Sequence, residues 1–331
     1  MAASVLIDNR NYGTSRFGPN DIYYNEKIAS SSPVPKETFK EICVVKSINK
    51  AKFPVYLICS KQTKQNYAMK VFPFKNNKPH SYFKNEIRFS GLNHPNIVKT
   101  VHIEPEKDTI SKGIPTKVSY TIMEYASNGD FFDFVMNYGT KTDEKIARTY
   151  FRQLIEGLEY LHNNGISHMD VKLENLLLGE DYQLKLTDFD LSYIDKDQKV
   201  LSKGTKFYRA PEVMKGVCKN TRASDIYSAA IVLFTMKTKG ILAHSENNLI
   251  GGTNFSELLH NNDPKFWEKH CEIQKKDKIY FENEFKELFI AMTRPKPEER
   301  ITIEEIKKSE WYNGPYYSPE ELKARVERIK H

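Results

Sequence analysis

The stretch that most limits how this chain can fold is His168-Met169-Asp170-Val171-Lys172-Leu173-Glu174-Asn175, followed by Thr187-Asp188-Phe189-Asp190. Asp170, Lys172 and Asn175 stand in a polar segment without apolar periodicity, flanked by Leu161 and by Leu176-Leu177-Leu178. Such a segment reads as a loop clamped between buried elements. A lone aspartate here would be an ordinary surface charge. Two acids, an amide and a lysine at this spacing, with Gly204-Thr205-Lys206-Phe207-Tyr208-Arg209-Ala210-Pro211-Glu212 downstream, are more than a chance collection.

Moving a phosphoryl group needs a carboxylate to orient the attacking hydroxyl, oxygen ligands for Mg2+, and cations on the phosphates. Asp170 suits the first task, Asn175 and Asp188 the second, and Lys172 the third. With the Ala210-Pro211-Glu212 segment, this set resembles the eukaryotic protein kinase family, Ser/Thr type, with the general look of the calmodulin-dependent kinase group. The resemblance runs over residues 39–311. It implies an α+β, bilobal fold with a small β-rich N-lobe and a larger helical C-lobe, and ATP and Mg2+ as cofactors. The expected organisation is a largely irregular extension over 1–38 and a kinase domain over 39–316, with the N-lobe at 39–123, a hinge at 124–130 and the C-lobe at 131–316. A tail covers 317–331, its end reading as an exposed helix.

From Phe39 onward, β-branched and aromatic residues separated by turn residues predict an antiparallel sheet. By the resemblance, Lys70 holds the α- and β-phosphates, and Ile48, Val55 and Ala68 lie against the nucleotide. A short helix over 81–92 would supply Glu86 as the partner of Lys70, although counting back from His94 lands on Asn85. A polar loop is expected over 104–117. Met123 takes the gatekeeper place, Glu124 and Ala126 offer backbone groups to the adenine, and Asp130 sits near the ribose while also suiting a helix N-cap. Thr205 resembles the threonine that bridges the catalytic aspartate and lysine, Asp170 and Lys172. Asp225 would fix the catalytic loop through backbone hydrogen bonds, and Glu212 and Arg300 would form a buried, architectural ion pair.

Three places depart from the family pattern. Where G-x-G-x-x-G lets backbone amides approach phosphate without a Cβ in the way, this chain reads Ile48-Asn49-Lys50-Ala51-Lys52-Phe53-Pro54-Val55. Asn49 and Ala51 take the first two glycine places, Pro54 has no amide hydrogen to offer, and Phe53 stands where an aromatic cap is expected. Met169 replaces the arginine that receives an activation-segment phosphate, so a phosphate at Ser202 or Thr205 is not expected to be needed. Asp190 replaces the glycine of Asp-Phe-Gly; it adds a carboxylate near the metal site or serves as a turn aspartate.

The reading that follows is a Ser/Thr protein kinase with atypical nucleotide handling. The alternative is a pseudokinase acting as a binding or scaffold module. Every group that touches reacting atoms is kept, and the substitutions fall on groups around them. The expected partner is a protein substrate with basic residues near the target Ser/Thr, drawn by Glu174 and Asp130. Lysine and arginine are scattered despite the net charge of +7, so no nucleic-acid role is expected. Cys43, Cys59, Cys218 and Cys271 form no metal or disulfide spacing and read as reduced thiols, which suits a cytoplasmic, or else nuclear, protein. The N-terminus lacks a signal-peptide pattern, and the apolar run at 229–234 is too short to span a bilayer. The sequence leaves the oligomeric state open.

Overall fold

The computed structural model describes residues 36–48, 53–111, 114–139, 142–195, 204–216, 218–243, 254–277 and 280–330. They fall into two units, one holding the described residues up to Ala126 together with Asp188–Asp190, the other holding Ser127–Thr187 and the chain from Leu191 onward.

The first unit is built on period-two alternation. Strands β1 (Ile42–Ser47), β2 (Val55–Ser60), β3 (Asn66–Pro73), β4 (Thr100–Ser111) and β5 (Ile114–Glu124) form an antiparallel sheet in the order β1-β2-β3-β5-β4. On β3, Tyr67 and Met69 join Phe39, Ile58, Tyr120 and Ile122 in one core cluster. Alternation sends Ala68, Lys70 and Phe72 to the opposite face. There Phe72 packs with Phe53, Phe83 and Ile87. Helix α1 (Ser81–Glu86) starts at His80, whose Nδ1 accepts the Tyr82 amide at 3.2 Å, and runs into a 3-10 turn at Ile87–Phe89. The polar loop expected over 104–117 is instead a ladder: β4 and β5 stay paired out to Ser111 and Ile114.

The second unit is helical. Helix α2 (Phe131–Tyr138) precedes α3 (Glu144–Asn163), capped by Asp143, whose Oδ1 accepts the Ile146 amide at 2.8 Å. Ile146, Tyr150, Leu154, Leu158 and Leu161 form the buried stripe of α3. Short hairpin strands follow: β6 (Ile166–Ser167) pairs with β9 (Tyr193–Ile194), and β7 (Leu176–Leu178) with β8 (Leu184–Leu186). Helix α4 (Pro211–Met214) leads to α5 (Thr221–Lys237), which is buried on every side from Ala223 to Lys237, as expected of a central core helix. Helices α6 (Phe255–His260), α7 (Lys265–Gln274), α8 (Asn283–Met292) and α9 (Ile303–Ile306) complete the bundle. The C-terminal helix α10 (Pro319–Lys330) corrects the sequence expectation of an exposed helix. Leu322, Val326 and Ile329 recur at helical spacing and are buried, so one face is docked and only the other is wet. Among the described residues no helix is long and apolar enough to cross a membrane, and all four cysteines are free thiols.

Candidate active site

The loop after β6 is shaped by one buried carboxylate. Asp225 of α5, with no solvent exposure, accepts the amides of His168 and Met169, each at 2.8 Å, and lies 3.0 Å from His162 Nε2. Met169 is left-handed, at φ 65°, a conformation non-glycine residues adopt only when their surroundings hold them there. That twist turns the chain so that the next residue, Asp170, presents its side chain to four donors. Oδ1 accepts the Thr205 amide at 2.8 Å and the Thr205 hydroxyl at 3.0 Å. Oδ2 accepts Lys172 Nζ at 2.6 Å and Asn175 Nδ2 at 3.0 Å. Lys172 also donates to Thr205 Oγ1 at 2.8 Å, so threonine, lysine and aspartate close a triangle. Gly204 makes the approach possible: its φ is 92°, and a Cβ there would lie 2.6 Å from the Met169 carbonyl oxygen.

The second group sits in the strand-rich unit. Lys70 is ion-paired with Glu86 and donates to Asp188 Oδ1 at 2.8 Å, with Asp190 Oδ2 at 3.9 Å. On the neighbouring strand β5, Thr121 pairs in register with Lys70 and donates to the other Glu86 oxygen at 3.1 Å. Burial opposes the charge on Lys70, but Glu86, Asp188 and Asp190 outweigh it and hold the ammonium far above the usual lysine range. Glu86 is the ion-pair partner of Lys70, and Asn85 donates to the Asp190 carbonyl at 2.9 Å. Asp188 is left-handed at φ 68°, and Phe189 lies 6.0 Å, centroid to centroid, from Phe89.

The other positions read as nucleotide-binding are placed as follows. Ala68 and Met123 are register partners, as are Val55 and Lys70, on the face that carries Lys70. Ile48 is exposed, and its amide bonds Val55 O at 2.9 Å. Ala126 is buried. The Glu124 amide donates to Lys99 O at 2.9 Å, so a ligand would meet the Glu124 carbonyl rather than its N–H. Asp130 caps α2, its Oδ1 accepting the Phe132 amide at 2.7 Å. Burial, with Asp133 and Glu174 adding repulsion, pushes its carboxyl up to about 6. Asn49, Ala51 and Ser202 lie outside the described residues. Phe53 differs from the expected cap over the phosphates: it is buried against Phe72, 4.8 Å centroid to centroid, with His80 and Tyr82 alongside.

Sequence reasoning missed Thr121 and the Asn85 contact. Thr121 was within reach of it, since a strand residue two before Met123 must share its face. Each unit offers an oxygen donor of the kind Mg2+ takes. Asp188 supplies a carboxylate. Asn175 turns Nδ2 toward Asp170, which directs its carbonyl oxygen away from that acid. Behind the Thr205 segment, Glu212 and Arg300 form a bidentate pair at 2.8 and 3.1 Å.

The protein kinase domain family matches residues 52–312 of this sequence. The chain belongs to that family. Curated relatives of this kinase domain include CBL-interacting protein kinase 26 of Oryza sativa, 33% identical over 235 residues that make up 69% of this chain and 42% of the relative. CBL-interacting serine/threonine-protein kinase 8 of Arabidopsis thaliana is 35% identical over 204 residues, 61% of this chain and 42% of the relative. The kinase domain thus spans under half the length of these relatives.

Proposed function

We propose that the chain is a Ser/Thr protein kinase that transfers the γ-phosphoryl group of ATP to protein hydroxyls. The observation that carries this reading is the Asp170 carboxylate, gripped by Lys172, Asn175 and both polar groups of Thr205. A carboxylate has about four acceptor positions, and here a substrate hydroxyl takes one over from a resident donor. In the reaction a bond forms from the substrate oxygen to the γ-phosphorus, the bond to the β-phosphate oxygen breaks, ADP leaves, and the hydroxyl proton passes to Asp170. In this reading Lys70 and Lys172 would meet the phosphates, and Asn175 and Asp188 would hold the metal. Mg2+, when bound, neutralises the charge on the phosphate oxygens.

Asp133 and Glu174 each repel Asp130 in the helical unit, which supports a substrate carrying basic residues near its target. Because the Asp130 carboxyl is pushed up to about 6, preference for an arginine-containing peptide should weaken as pH falls through that value, a profile measured against a neutral peptide. Met169 is buried and takes its place from Asp225, which supports turnover without an activation-segment phosphate.

Labelled phosphate transfer from ATP to a peptide library tests the activity. Asp170→Asn should lower the rate by about 10²–10⁴-fold, the contribution of a positioned base. The pseudokinase reading is favoured by the absence of glycine from the sequence between Ile48 and Val55; it predicts no transfer and leaves only an ATP-dependent thermal shift, or none.

A further inference from the structure

We infer that Asn85 is a positioning residue for phosphoryl transfer: its side-chain amide holds the main-chain carbonyl of Asp190 and thereby sets the Asp188 carboxylate. The inference rests on the transfer activity proposed above and concerns how the metal-binding acid is kept in place.

Three contacts give the geometry. Asn85 Nδ2 donates to Asp190 O at 2.9 Å. Arg88 Nη1 donates to Asn85 Oδ1 at 3.0 Å, which assigns the amide: its oxygen takes the guanidinium and its nitrogen faces the carbonyl. Two residues before that carbonyl, Asp188 holds a left-handed φ of 68° while its Oδ1 sits 2.8 Å from Lys70. A non-glycine residue in that region returns to ordinary backbone unless it is restrained on both sides. Lys70 restrains the side-chain end and Asn85 the chain just beyond it.

Asp190 makes the restraint effective. Glycine at that place would leave the carbonyl broad freedom to swing, whereas a residue with a Cβ is confined to fewer backbone states. Asn85 also precedes Glu86 on the same six-residue helix. Moving α1 outward therefore breaks the Glu86 bond to Lys70 and the Asn85 bond to Asp190 together. In this chain Asn85 and one departure from the family pattern, Asp190, meet in one contact and latch the assembled arrangement. That latch does the holding that a phosphorylated activation segment does elsewhere.

The test uses the full chain and three variants. Asn85→Leu keeps the bulk and removes the donor; Asn85→Ser shortens the arm and serves if the leucine variant does not fold; Asn85→Gln keeps the amide on a longer arm. Transfer is measured against Mg2+ concentration, and Mg2+-dependent ATP binding and Tm are measured alongside. Asn85→Leu or Asn85→Ser should raise the Mg2+ needed for half-maximal transfer, and for half-maximal binding, by about 3- to 10-fold, the factor one lost hydrogen bond carries. kcat should fall by a similar factor, KM for the peptide should stay put, and Tm should move by no more than about 3 °C. Asn85→Gln should recover part of the Mg2+ response. An unchanged Mg2+ response in both donor-free variants overturns the inference while leaving the kinase reading intact. A wild-type chain that binds Mg-ATP but transfers nothing overturns the kinase reading, and the binding curves still decide the role of Asn85. A chain that does neither overturns both.

Discussion

Two buried ion pairs, one in each unit, show how similar burial can be put to different use. Arg300 and Glu212 have side-chain exposures of 0% and 6%, and Lys70 and Glu86 of 9% and 6%. Around Arg300 the bonding is closed. Its fork grips both Glu212 oxygens, the remaining N–H groups reach Ala223 O and Arg294 O, and Ser224 donates to Glu212 at 2.9 Å. A planar guanidinium suits such a fixed, bidentate role. Lys70 is a compact ammonium shared among three carboxylates, one of which, Asp188, is 35% exposed. A point charge with several partners can pass from a carboxylate to a phosphate without leaving an empty socket. The first pair serves architecture; the second is exchangeable.

That contrast breaks if the numbers come out otherwise. Arg300→Met should cost about 3–5 kcal/mol in denaturant unfolding, because it strands a buried carboxylate. Replacing both partners, Glu212→Gln with Arg300→Met, should cost less than Arg300→Met alone; an equal or larger loss would mean the pair itself, and not the stranded charge, carries the energy. Lys70→Met should cost less than Arg300→Met, since Asp188 keeps its contact with solvent and Glu86 can take a proton in place of its partner, yet ATP binding should fall by at least about tenfold. A stability loss like that of Arg300→Met would put both pairs in one class. Smallest of all, Thr121→Val should cost about 1 kcal/mol by removing one donor from Glu86, read as a small shift in the same unfolding curves.

Much of this was legible in the sequence, because motif spacing names residue types that the chemistry requires. The Asp170 loop follows from such spacing, the Asp225 anchor and the Glu212–Arg300 pair follow from the family resemblance, and the structure shows the contacts. What spacing does not carry is the local phase of a helix. Counting back from His94 assumes a continuous α-helix, but α1 ends at Glu86 and passes into a 3-10 turn. Three residues wound at about 120° each instead of 100° rotate the face by roughly 60°, over half a residue. That slip separates Asn85 from Glu86 as the partner of Lys70. Phe53 was unreadable for another reason: whether an aromatic after a turn caps a ligand or joins a core depends on Phe72 and Tyr82, which arrive from distant sequence.

The docked face of α10 bears on where this protein can be cut. The family match ends at residue 312, but Tyr317 beyond it donates to Asp143 at 3.0 Å, and its amide bonds Thr149 at 2.9 Å. Leu322, Val326 and Ile329 follow, each carrying up to about 1.5–3 kcal/mol of burial. Trimming the chain at the family boundary would strip an apolar groove of its own cover and leave a sticky scar on the helical unit. Such a trimmed protein would aggregate sooner than it lost its chemistry, and its poor behaviour would say nothing about the catalytic loop.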